Sequence, residues 1–180
     1  MSEIITLATV FILVWAIIIY NRLVRDKNRV FEGWSGIDVQ LKLRYNLIPN
    51  LVSTTKQYAD YEQAVLTTVT ELRTQCEQTT SIHQQGELEN ELGSGIQKLI
   101  ALAEHYPDIK ANENFAQLQQ QLVDIENQLQ YARRYYNGAV RNLNTNVERF
   151  PNLLIANLFK FKQSEFFQLE SDNMRKGIKV

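Results

Sequence analysis

The sequence predicts an all-α protein: an N-terminal transmembrane helix that continues into an elongated helical bundle. Three observations carry that class. Residues 4–20, IITLATVFILVWAIIIY, contain no charged side chain. Apolar residues then recur at intervals of three and four along two very long stretches, the mark of helices with one buried face. Finally, the chain has three prolines and seven glycines in 180 residues, a usage that suits long helices better than strands joined by turns.

The first element is the apolar one. A run from Ile4 to Tyr20 rises roughly 26 Å as a helix, the short end of what crosses a bilayer core. Trp15 and Tyr20 fall toward one end, where amphipathic rings favour the membrane–water border. A cleaved leader would open on basic residues and close on small ones. This stretch opens on Glu3 and runs into NRLVRDKNR, so an uncleaved anchor is expected. No cysteine follows it that could carry a lipid. Arg22, Arg25, Lys27 and Arg29 flank it on one side against Asp26 alone. The positive-inside rule then puts residues 21–180 in the cytoplasm and the N-terminus outside. The expected division is 1–3 extracytoplasmic, 4–20 spanning, 21–162 bundle and 163–180 a loosely ordered tail apart from Phe166 and Phe167.

Nothing between Tyr20 and Val30 signals a stop, so the anchor should continue straight into the next helix. Its apolar face reads Trp34, Ile37, Leu41, Tyr45, Ile48, Val52, Thr55, Tyr58 or Ala59, Val65, Val69, Leu72 and Cys76. Pro49 interrupts that face in LIPN, removing one amide and freeing the carbonyl of Tyr45. Because the apolar register resumes without a skip, the sequence favours a kink over a hairpin. Asn46 and Asn50 stand on either side as donors for the loosened backbone. Residues 79–87, TTSIHQQGE, read as a connection. A second helix is expected from about Leu88 to His105, with Leu92, Ile96, Leu99 and Ala103 inward; Gly93 and Gly95 each weaken it by about 1 kcal/mol relative to alanine.

YPD at 106–108 reads as a turn. Asn112 or Asn114 then caps a third helix, with Gln117 placed for a capping box. This helix has the cleanest pattern: Phe115, Leu118, Leu122, Ile125, Leu129, Ala132, Tyr136, Ala139, Leu143, Val147 and Phe150, before Pro151 stops it. PNLLIANLFKFK at 151–162 forms a shorter final helix, which could cap the bundle end or lie in the membrane interface with Leu154, Leu158 and Phe161 inserted.

Composition excludes several functions. There are 19 basic and 20 acidic residues, with Glu3 the one charge among the first twenty, so the remainder is neutral and lacks the basic excess of a nucleic-acid binder. Cys76 is the single cysteine, which rules out an internal disulfide and a thiolate metal cluster. His83 and His105 are not at ligand spacing. Glu62 with Glu71, and Asp124 with Glu126, do not face each other along a helix. No Glu-x-x-His pair is present for a di-metal bundle site, and no glycine-rich loop precedes a helix. The residues therefore advertise no catalysis, metal or cofactor.

Several stretches together resemble the LemA family of bacterial membrane-anchored proteins: IDVQLKLRYNLIPNLV (37–52), AEHYPDIKANENFAQLQQQL (103–122), ARRYYNGAVRNLN (132–144) and RFPNLLIANLFKFK (149–162). They occur in family order and cover nearly all of the chain after the anchor. The resemblance implies an up-and-down four-helix bundle behind an N-terminal anchor in the bacterial inner membrane, with no established enzymatic activity. Some relatives are associated with organising bacterial membranes. The sequence departs from the family at Asn46, where aspartate is frequent, and at Leu143, where tyrosine is.

Three groups of residues are candidates for function. Asn46, Pro49 and Asn50 form the kink. Glu126, Arg133, Asn137 and Asn144 lie along the third helix as a polar seam that could bind a small molecule or peptide, together with Asn50; the plainer use of such residues is to fix helix register or pair as ions. Phe31, Gly33, Trp34 and Gly36 form a collar just beyond the membrane that could serve self-association. The expectation is a non-catalytic scaffold or assembly subunit. Its partners would be the bilayer, copies of itself and another membrane protein, with no nucleic acid.

Overall fold

The computed structural model describes residues 1–56 and 63–167. Among these are six helices: α1 (Ser2–Lys56), α2 (Gln63–Gln78), α3 (Ile82–Glu104), α4 (Pro107–Lys110), α5 (Glu113–Glu148) and α6 (Asn152–Leu158). Tyr58, Ala59 and Glu62, and the tail beyond Phe167, lie outside the described residues.

The described chain divides into two units, Met1–Gly36 with Ala132–Phe166, and Ile37–Tyr131 with Phe167. In the first, α1 begins fully exposed: Ile4, Phe11 and Ile18 show 71%, 72% and 61% of their surface. One helix of the described residues, α1, is long and apolar enough to cross a membrane. Burial starts at Ile19 and Leu23 and recurs at Asp26, Val30 and Gly33. Asp26 and Gly33 of this face meet α5, whose Tyr136, Ala139, Val140, Leu143 and Val147 are buried. The α1 and α5 segments run antiparallel, since Asn146 reaches Asp26 while Tyr136 lies beside Gly33.

In the second unit α1 carries on through Pro49 and buries Ile37, Leu41, Tyr45, Ile48, Leu51 and Thr55. The expected stripe is thus right in period but enters at Leu51 in place of the half-buried Val52. The single helix expected to reach Cys76 is corrected. In a straight helix Tyr45 and Cys76 would be about 46 Å apart, yet their side chains interact. So α2 runs antiparallel to this part of α1. Periodicity alone does not reveal the reversal, because the apolar spacing in the sequence runs on from Thr55 to Val65 and Val69 without a skip.

The connection expected over residues 79–87 shrinks to 79–81, because Ser81 caps α3, its hydroxyl accepting from the Gln84 amide. Ser81 and Gln84 have the capping-box spacing. Leu92, Ile96, Leu99 and Ala103 are buried as expected. Gly95 has a positive reason to lack a side chain: a Cβ there would stand 2.9 Å from Val69 Cγ2. The glycine lets α2 and α3 approach closely, which offsets its low helix propensity.

The YPD turn proves to be the start of α4, with Pro107 in the first helical turn, where its missing amide is harmless. Asn112 caps α5, its Oδ1 accepting from the Asn114 and Phe115 amides. The helix ends at Glu148, so Phe150, expected in the core stripe, is 75% exposed. After a cis Phe150–Pro151 bond comes α6. Lys160, at φ 57°, closes it. The Phe161 amide reaches the Ala156 carbonyl and the Lys160 amide reaches Asn157, the paired bonds of a Schellman turn.

Candidate functional site

The Schellman turn sends the chain back toward the end of the apolar segment. Tyr20 receives the rings of Phe159 and Phe161 at 4.7 and 5.8 Å. Phe150, Leu154, Leu158 and Phe159 remain exposed close by in sequence. Residues 161–167 have no regular structure but are fastened to α5. Asn144 forms two bonds with Ser164, donating to its carbonyl at 3.0 Å and accepting from its amide at 2.9 Å. Tyr136 donates to the Glu165 carbonyl at 2.8 Å.

These contacts change the reading of the collar. A Cβ on Gly33 would lie 3.0 Å from Tyr136 Cα, so this glycine serves the approach of α5 within the same chain. Trp34 packs on the Tyr136 ring at 5.6 Å. Gly36 looks toward Ala132, with 4.0 Å between a Cβ there and the alanine methyl. Phe31 alone of the four presents a large exposed apolar surface, crossed by the Lys27 ammonium at 5.8 Å.

The seam is likewise redistributed. Asn144 directs its amide to the Ser164 backbone, and Arg133 is buried. Asn137 is half-buried on the same helix and unit. Glu126 belongs to the other unit, where it lies 3.5 Å from Arg44 and accepts from Gln130. Asn50 also belongs there, on an open groove of about 360 Å³ with Asn114 and Gln117. Asn46 and Asn50 are exposed at the Pro49 site, and neither side chain bonds the backbone among the described residues. The expected bracing is not made.

The polar centre that sequence reasoning missed is Glu89. Its side chain is fully buried in the second unit. Arg44 Nη1 lies 3.2 Å from Oε2, the Tyr45 hydroxyl donates to Oε1, and Gln85 donates to Tyr45 Oη at 2.8 Å. Gly93 makes room for the guanidinium, since a Cβ there would stand 3.0 Å from Nη2. Burial, and then the Glu89 charge, push the Tyr45 hydroxyl well above its ordinary range. The same two causes push the Cys76 thiol up to about 12. Both stay protonated at neutral pH, so Tyr45 is held as a donor and Cys76 is a poor nucleophile. Gln85 and Glu89 continue the stripe backward from Leu92 at steps of three and four, a signal that was present in the sequence.

A helix bundle with an exposed apolar first helix, and with its interior charge compensated from within, defines the class: a membrane-associated all-α protein. The particular family follows from comparison. The LemA family profile matches residues 33–180, and the chain belongs to that family. It is similar to magnetosome protein MamQ 2 and magnetosome protein MamQ 1 of Paramagnetospirillum magneticum, at 25% identity for each. It is 23% identical to magnetosome protein MamQ of Magnetospirillum gryphiswaldense. These matches cover 82–83% of this chain and 64% of each relative, so the chain spans less than two thirds of their length.

Proposed function

We propose that the protein is a single-pass, non-catalytic scaffold of the bacterial inner membrane. In this reading the start of α1 spans the bilayer, the N-terminus faces outward and the packed helices stand in the cytoplasm. The observation that carries it is the change of character along one unbroken helix. The 55-residue α1 is apolar and exposed at its beginning, then amphipathic and buried on one face. Apolar surface of that extent in water is unfavourable by about 25 cal/mol per Å², and a bilayer core removes the penalty. Tyr20, clasped by Phe159 and Phe161, marks the border, and the exposed Leu154, Leu158 and Phe159 favour an interfacial role for α6.

A non-catalytic role is supported by how the interior charge is used, because Arg44, Tyr45 and Gln85 already occupy Glu89. The magnetosome names of the relatives are in keeping with a part in assembling a cellular structure. Partners on this reading are further copies of the chain or another membrane protein, with Phe31 as an available contact.

The test is affinity purification of the full chain from native membranes in a mild detergent, with mass and stoichiometry measured, alongside a fluorescent fusion at the C-terminus. Assemblies heavier than one chain and a fluorescent cytoplasmic fusion are expected. A strict monomer without partners overturns the scaffold, and a fusion active only outside the cytoplasm overturns the orientation.

A further inference from the structure

The second wall of a basic groove comes from a part of the chain far from the anchor. Just beyond Tyr20, α1 places Arg22, Arg25 and Arg29 at steps of three and four, on one face. Asp26 turns inward between them, buried, and accepts from Asn146 Nδ2 at 2.6 Å. That bond fixes the antiparallel register of α5, so Arg149 comes level with Arg22, and Arg141 with Arg29. The result is an open groove of about 660 Å³ in the first unit, lined by these five arginines, with Ile18 at its apolar end.

Asp26 is the one acidic residue on its lining. Arg29 lies 3.7 Å from it. Among the described residues no hydrogen bond or ion pair occupies the side chains of Arg22, Arg25, Arg141 or Arg149, and all four are exposed. A concentration of like charge that the protein does not neutralise itself is a site for an anion. Guanidinium groups suit phosphate, which accepts their paired N–H bonds.

Depth identifies the source. Along α1, Arg22 and Arg25 lie about 3 and 8 Å past Tyr20. A headgroup layer occupies about 5–8 Å outside each face of the hydrocarbon core. We infer that the groove between α1 and α5 holds the phosphate headgroup of an anionic phospholipid, with an acyl chain running beside Ile18 along the exposed face of α1. The inference rests on α1 spanning the membrane, as proposed above. The chemistry is shared with soluble phosphate, and placement at the border favours the lipid.

The test uses the full chain in nanodiscs of phosphatidylcholine, with and without phosphatidylglycerol, and native mass spectrometry to count retained lipids. Phosphatidylglycerol should be retained in preference to phosphatidylcholine. Arg141→Gln with Arg149→Gln should cut that preference by roughly tenfold or more, since each arginine near an anionic surface is worth about fivefold. These two positions are far in sequence from the span and leave its flanking charges intact. Lys56→Gln with Lys98→Gln, an equal loss of charge in the other unit, should leave the preference unchanged. Circular dichroism confirms that both double variants fold.

Equal retention of the two lipids, or an unchanged preference in the arginine variant, overturns the inference. So does an equal fall in the lysine variant, which would mark a general charge effect. Inorganic phosphate is titrated in phosphatidylcholine discs; saturable binding at millimolar concentration that the arginine substitutions abolish would assign the groove to soluble phosphate instead. Alkaline extraction of the same proteins from native membranes reports separately on anchoring. Extraction of the chain fails the spanning reading, whereas a retained chain without lipid preference fails the groove alone.

Discussion

Replacing Arg44 by methionine removes the positive partner of a carboxyl group that has no access to water. The Arg44 and Glu89 side chains are 9% and 0% exposed, against 43% for Glu126. Loss of the exposed partner is worth under about 1 kcal/mol. Loss of the buried one costs about 3–5 kcal/mol, because Glu89 Oε2 is left without the guanidinium. The lower end applies, since Tyr45 and Gln85 still serve Oε1. Cys76 supplies an internal probe of the result. It is buried, it is the only thiol, and its side chain interacts with this cluster. Labelling by a thiol reagent at pH 7.5 then proceeds through the opened unit, at a rate that follows the opening equilibrium. A loss of about 3 kcal/mol should raise that rate by roughly 100-fold or more. Adding Glu89→Leu to Arg44→Met should recover much of the loss, as hydrophobic replacement of a buried pair commonly does. A rise in labelling below about fivefold for Arg44→Met, or a double variant more labile than the single, would refute the placement of this ion pair at the heart of the unit.

Three further outcomes are expected. Gly95→Ala should destabilise the α2–α3 contact despite alanine's better helix propensity, because the new Cβ meets Val69 Cγ2 at 2.9 Å; Val69→Ala in the same chain should relieve it, both read by urea unfolding of the detergent-solubilised protein. Lys160→Gly should stabilise the first unit by up to about 1 kcal/mol, since lysine is held at φ 57°; a lower thermal midpoint would count against the Schellman turn. The folded-state values of Cys76 and Tyr45 are raised, so their contribution to stability is complete below the unfolded thiol value of 9.0 and declines as pH rises toward about 12. Thermal melts should therefore fall progressively above pH 9, and Cys76→Ala should flatten the part due to the thiol.

Much of the fold was legible because helical burial leaves a periodic trace. Leu92, Ile96, Leu99 and Ala103, and most of the α5 stripe from Phe115 to Val147, are buried where spacing put them. The reversal between α1 and α2 was not legible, since the apolar spacing continues through both helices without a skip. The collar was legible only in part, because small residues announce a close approach without naming the partner; at Gly33 the approach is to α5 of the same chain. Glu89 escaped because a charge on an apolar stripe looks like an interruption, although Gln85 and Glu89 extend the stripe from Leu92. Arg141 and Arg149 escaped altogether. Their relation to Arg22 and Arg29 exists only once Asn146 meets Asp26, a pairing of residues 120 positions apart.

The unbroken course of α1 from Ser2 past Tyr20 also bears on bilayer thickness. Its uncharged run of about 26 Å is shorter than an average hydrocarbon core of about 30 Å. On the spanning reading the shortfall is met by thinning of the surrounding lipids, by snorkelling of the flanking arginines or by association, each at a fraction of a kcal/mol for each ångström of mismatch. The protein should accordingly collect where acyl chains are short, and shifting host lipids to longer chains should disperse it.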